Sequence, residues 1–225
     1  MKQPPVDVKL HQVASNIFHA VIEDQYDLTM TFCRAQEFYE SPYKSIRGKK
    51  FTINEFMRIY VKDRNEIVFT YPEDWAGFNV PGKTLTALFS QGIEDTNTYD
   101  HLMKDMYNQA KKITGSDNFY LIGTNGNEKD TFEHEMCHAF YSLNKTYKSK
   151  VNSILKGLRV SVKNKVYKHL IELGYCKKLL LDELNAYLTI DTKQILDLKF
   201  NKSEIKSIKQ TSKALKEIFL SFFNK

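Results

Sequence analysis

The chain has 225 residues, 42% hydrophobic and 27% charged, the balance expected of a folded domain and not of a low-complexity tract. No apolar run approaches the roughly 20 residues of a membrane helix, and the opening MKQPPVDVKL lacks the apolar centre of a secretory leader, so the compartment reads as cytoplasmic or unknown, with export still open. The net charge of +6 is uneven: residues 141–225 carry 18 Lys and Arg against 7 Asp and Glu, a net +11, while residues 1–140 carry 15 against 20, a net −5. The lysines of the basic half follow helical spacing with few aromatics among them, which predicts solvated helix faces and not a nucleic-acid platform. Cys33, Cys137 and Cys176 are odd in number and form no C-x-x-C pair, so reduced, buried thiols are expected.

In chain order, PPVDVKLHQVASNIFHAVI alternates well enough for one or two strands. A helix is predicted from about Asp24 to Tyr39, stopping near Ser41-Pro42. A second follows in TINEFMRIYVKDR, with Thr52 as N-cap and Glu55 closing a capping box. EIVFTY reads as a short strand and YPEDWAGFNVPG as a loop. NTYDHLMKDMYNQAKKIT is a helix that Gly115 should end, and DNFYLIGT is a strand closed by the turn residues NGNE. From Lys129 onward nearly everything is helical in period, with breaks at Gly157 and Gly174. The pattern is α+β, a small N-terminal and central sheet followed by a mostly helical C-terminal half.

GFNVPGKT, residues 77–84, matches the phosphate-loop pattern G-x-x-x-x-G-K-[ST]. A phosphate loop must leave a buried strand and open a helix whose amides face the phosphates. Here proline and two acids precede Gly77, and Pro81 removes a backbone donor, so a structured loop with Trp75 and Phe78 packed inward is expected. KLLLDE, residues 178–183, resembles a magnesium-holding strand but continues as LNAYLTI with helical period.

FEHEMCHAFYSL carries different chemistry. At about 100° per residue His138 falls one turn beyond His134 on the same face, with Thr131 and Tyr141, while Glu135 lies on the flank. Phe132, Met136, Ala139, Phe140 and Leu143 fall opposite and give the helix a core face. Imidazoles at i and i+4 can bind one ion at about 2.0–2.1 Å, with Glu135 close enough to take a proton from water. Cys137 lies on the shoulder of that face and is expected to be a core thiol.

A catalytic zinc takes a third protein ligand. Tyr141 and Asn144 break the metzincin pattern, which leaves a downstream carboxylate. Glu172 shares its face with Lys165, Lys168 and His169 and reads as solvated. Glu183 shares its face with Cys176, Leu179, Leu180, Ala186, Tyr187 and Ile190, where an acid needs a pairing cation. Glu183 is therefore the preferred third ligand, with Asp182 and Glu172 as alternatives.

His134-Glu135-Met136-Cys137-His138, followed by Glu183 and Ala186, resembles the gluzincin metallopeptidases over roughly residues 118–190. The resemblance implies a single zincin-like domain, residues 1–225, with its core at 118–190. Residues 1–117 stay outside any family pattern, and an amphipathic helix occupies 200–225. It also implies zinc on His134, His138 and Glu183, Glu135 as general base, and a peptide or protein substrate pairing with DNFYLIGT at the sheet edge. Tyr175 is the candidate oxyanion donor, with Tyr141 and Tyr187 behind it. Thermolysin-like members carry a histidine-orienting acid four residues after the ligand glutamate, and Tyr187 stands there. The alternatives are a zinc-binding protein or other zinc hydrolase on the same scaffold, and, less favoured, a nucleotide-binding protein. Nucleic acid is not an expected partner. The basic last helix is expected to dock on the domain, with a partner or membrane surface as the alternative.

Overall fold

The computed structural model describes residues 8–126 and 129–224; residues 4–7 of the first expected strand and Asn127-Glu128 of the expected turn lie outside them. The chain divides into two compact units, Met1–Thr131 and Phe132–Lys225. The architecture is α+β: a four-stranded sheet in the N-terminal unit and helices throughout the C-terminal one.

In the N-terminal unit, β1 (Leu10–Ala14) and β2 (Ile17–Val21) form an antiparallel pair, turned by Asn16 at φ 61°. The chain then runs through α1 (Gln25–Glu40), α2 (Ile53–Asp63), α3 (Tyr71–Asp74), β3 (Gly77–Pro81), α4 (Gly82–Ser90) and α5 (Thr98–Thr114) before β4 (Tyr120–Thr124). The strand order is β1-β2-β4-β3, with β2 and β4 parallel and the other pairs antiparallel. Asp24 caps α1, Thr52 and Glu55 form the capping box of α2, and Gly115 ends α5 in the left-handed region at φ 65°.

α1 lies against the sheet closely enough that a Cβ on Gly123 would meet the Phe32 ring at 2.3 Å. The buried Arg34 guanidinium ties α1 to α5 by donating to both oxygens of Asp100, at 2.8 and 3.0 Å, and also donates to the Phe51 carbonyl. A charge buried this way is tolerated because its donors are satisfied.

Three local expectations change. EIVFTY is not a strand: Ile67 is 96% exposed and Val68 64%, no ladder partner lies beside them among the described residues, and the chain turns into α3 at Tyr71, where Pro72 suits a first helical turn. The expected loop around GFNVPGKT is strand β3 running directly into α4. The residues that would have to curl round a phosphate are extended and paired with β4, while KLLLDE enters a helix. Phe78 is buried as expected, stacked on Phe32 at 5.6 Å. Finally, β4 is interior, flanked by β2 and β3, so it offers no free edge to a peptide.

The C-terminal unit holds most of α6 (Lys129–Leu143), then α7 (Lys145–Lys156), α8 (Val160–Glu172), α9 (Leu180–Thr189), α10 (Thr192–Leu196) and α11 (Lys202–Phe223). The long helical run breaks at Gly157 and Gly174, and also at Ile190-Asp191 and around Lys199, at φ 56°. α11 starts at the Asn201–Glu204 capping box and packs on α7 and α9, burying Ile208, Leu215 and Phe219. Its end joins an aromatic cluster in which Phe140 meets Phe219 at 5.9 Å and Tyr147 meets Phe222 at 5.4 Å. That cluster fixes α6 against α7 and α11. Among the described residues no helix is long and apolar enough to cross a membrane.

Candidate metal centre

α6 and α9 build the site. α6 buries Met136, Cys137, Ala139 and Phe140, which sets its rotation and turns His134 and His138 to one side. α9 is held by buried Leu180, Leu184, Ala186 and Leu188, and it carries Asp182 and Glu183 in its first turn, where the helix dipole favours negative charge. Glu183 is only 3% exposed.

His134 Nε2 lies 3.9 Å from Glu183 Oε2, and His138 Nε2 lies 3.7 Å from Oε1 of the same carboxylate. The ligand atoms these three residues offer fall within 4.8 Å of one another. Donors of a tetrahedral zinc at about 2.0–2.1 Å would be about 3.3 Å apart, so the two histidine–glutamate gaps would close by about half an ångström and no pair by more than about 1.5 Å to form a site. Glu183 Oε2 is buried without a hydrogen-bond donor, a costly state that a cation relieves. On both counts the residues fit a metal ion.

The far side of each ring is also occupied. His134 Nδ1–H donates to Asp191 Oδ2 at 2.6 Å, and His138 Nδ1 faces Asp182 Oδ1 at 3.1 Å. The Asp191 contact is the better one: Asp182 Oδ1 makes no hydrogen bond of good geometry despite its proximity. Carboxylates at both Nδ1 atoms leave both Nε2 atoms facing Glu183, which is the arrangement of carboxylate–histidine–metal triads.

The charges agree with this geometry. Burial alone would lower both imidazole pKa values. The hydrogen bond to Asp191 and the Glu183 carboxylate outweigh it at His134 and raise it to about 9, while Glu183 and Asp182 raise His138 to about 10. Glu135 contributes to both shifts. Four carboxylates therefore surround two imidazoles, a field that recruits either protons or a cation.

Glu135 is buried on α6 beside these rings. Tyr175 follows Gly174, whose φ of 105° turns the chain between α8 and α9. Its hydroxyl lies 3.1 Å from that of Tyr187, and the Tyr187 ring meets His134 edge-on at 5.1 Å. Burial pushes the Tyr175 phenol well above 10 and the Tyr187 phenol to about 12, so both stay protonated near neutrality. Tyr141 points elsewhere and donates to Asn152 Oδ1 at 2.7 Å. Glu172 is exposed, paired with Lys168 at 3.8 Å. Cys137 is fully buried and its thiol pKa is raised by that burial.

Asp191 is the residue that sequence reasoning missed. Helical period extended through Ile190 and hid the break that follows. Asp-Thr at 191–192 is nevertheless a helix-start signal. Asp191 sits at the N-cap of α10 but makes no cap hydrogen bond with its side chain, which is engaged with His134. Comparison with protein-family models, curated proteins and solved structures finds no match to this chain.

Proposed function

We propose that this chain is a zinc-dependent metallopeptidase of gluzincin type. The observation that carries the reading is the buried Glu183 carboxylate, set between two histidine Nε2 atoms with one oxygen lacking a donor. His134, His138 and Glu183 would hold the ion, and two imidazoles with one carboxylate suit zinc better than calcium or magnesium. When bound, zinc supplies Lewis acidity to a water or a peptide carbonyl.

The chain's own residues do the rest. Glu135 accepts a proton from the attacking water and returns it to the leaving amine. Tyr175, hydrogen-bonded to Tyr187 and still protonated, is the candidate donor to the developing oxyanion. Asp191 holds the His134 imidazole in one tautomer and orientation through its hydrogen bond, and the Asp182 carboxylate lies beside His138 Nδ1.

Elemental mass spectrometry of the purified chain comes first, and about one zinc per chain is expected. Glu135→Gln should then keep the zinc and lose hydrolysis of a peptide library. A zinc-loaded wild type that cleaves nothing in the library would point to a zinc-binding protein or another hydrolase. A chain that takes up no metal on titration would remove the reading.

A further inference from the structure

From Tyr141 to Ile171 the chain contains seven lysines and one arginine and no aspartate or glutamate. This stretch forms α7 and α8, and the two helices line a groove of about 820 Å³. Lys145, Lys148, Lys156 and Lys163 face it, with Ser149 and Asn152 between them. None of these lysines forms an ion pair among the described residues. Lys148 lies over the Tyr141 ring at 4.5 Å, and Lys163 donates to the Lys156 carbonyl at 3.5 Å. These contacts fix two ammonium groups at the groove without neutralising them.

The groove adjoins the candidate metal centre through two elements. Leu181, next in the chain to Asp182, lines it. Tyr141, three residues after His138 on α6, reaches Asn152 on its wall. Four lysines in one concavity, of which Lys148 also feels the Asp182 carboxylate, repel each other and attract an anion. Among the described residues no aromatic side chain lines the groove, so they offer no stacking surface of the kind single-stranded nucleic acid uses.

We propose that the groove between α7 and α8 binds the carboxylates of an acidic polypeptide segment, so that the substrate class of the metal centre is acidic peptides. The link to substrate rests on the peptidase reading; the groove's binding of acidic peptide does not.

The test separates the two. Full-length chain treated with a chelator is titrated into fluorescein-labelled hexaglutamate at low salt, and anisotropy is read. Wild type should bind, and binding should weaken as salt screens the charges over about 8 Å at physiological ionic strength. Changing Lys145, Lys148, Lys156 and Lys163 to Gln should weaken binding about tenfold, the sum of four modest ion pairs. The same number of changes on α11, at Lys202, Lys206, Lys209 and Lys213, should leave it within about twofold. These side chains are exposed or half-exposed, so both variants should fold, which circular dichroism spectra matching wild type would check.

Equal weakening in the two variants would reduce the effect to net charge and overturn the proposal. So would absence of hexaglutamate binding to wild type, or tighter binding of a labelled hexathymidylate. Because no turnover is measured, each of these outcomes leaves the peptidase reading to the Glu135→Gln assay.

Discussion

Asp191→Asn sets two effects of one carboxylate against each other. Asn keeps an oxygen that can accept from His134 Nδ1 but removes the charge behind the 2.6 Å contact. Losing such a partner costs about tenfold in metal affinity, or about 1.4 kcal/mol. The same carboxylate holds a proton on His134 in the metal-free chain, raising its pKa to about 9. At pH 7.5 an incoming metal must displace that proton, at a cost on the order of 2 kcal/mol. The substitution relieves much of this cost. The two effects therefore nearly cancel at pH 7.5, and wild type and variant should bind zinc within about threefold of each other. Near pH 10 His134 is neutral in both proteins, the proton no longer competes, and the variant should bind about tenfold more weakly. Competition with a chromophoric chelator at the two pH values measures both. A variant that matches wild type at pH 10, or that loses the same factor at both values, would refute the linkage of Asp191 to His134.

The other predictions concern the ligand, the metal-free state and the sheet. Glu183→Gln should lower zinc occupancy in elemental analysis, since it removes the charged donor between the two histidines. In the metal-free chain both imidazole pKa values stand above the unfolded value of 6.5. Their charge thus contributes stability that is full below about pH 6.5 and is lost as pH rises through about 9 and 10. Calorimetry of chelator-treated protein should give a lower melting temperature at high than at neutral pH, and added zinc should shrink the difference. Gly123→Ala should destabilise by about 1–3 kcal/mol in urea titration, because the added methyl enters the Phe32 ring.

Legibility followed range along the chain. The Thr52–Glu55 capping box and the Gly115 stop were readable because their hydrogen bonds join residues only a few positions apart. The sheet was not. Whether 66–71 or 77–81 forms a strand depends on a partner elsewhere: Gly77–Pro81 has one in β4, and EIVFTY has none among the described residues. The interior place of β4 is equally a product of pairings over long sequence separation.

At the candidate centre, His134, His138 and Glu183 were legible because helical period alone puts them on defined faces of α6 and α9. Their convergence within 4.8 Å is tertiary. Asp191 escaped because it depends on α9 ending where a periodic reading continues it. Asp182 was placed on the polar side of its helix, but that side faces the second imidazole at 3.1 Å.

The chain economy of this constellation has a practical side. Both imidazoles and the candidate base occupy five consecutive residues, 134–138, and the third donor with both orienting carboxylates occupies ten, 182–191. Two short segments thus hold every group that would grip and tune an ion. Such a set is portable: grafted onto a designed helical pair with a reversed turn after the second helix, it would test how little surrounding protein a triad-braced metal site requires.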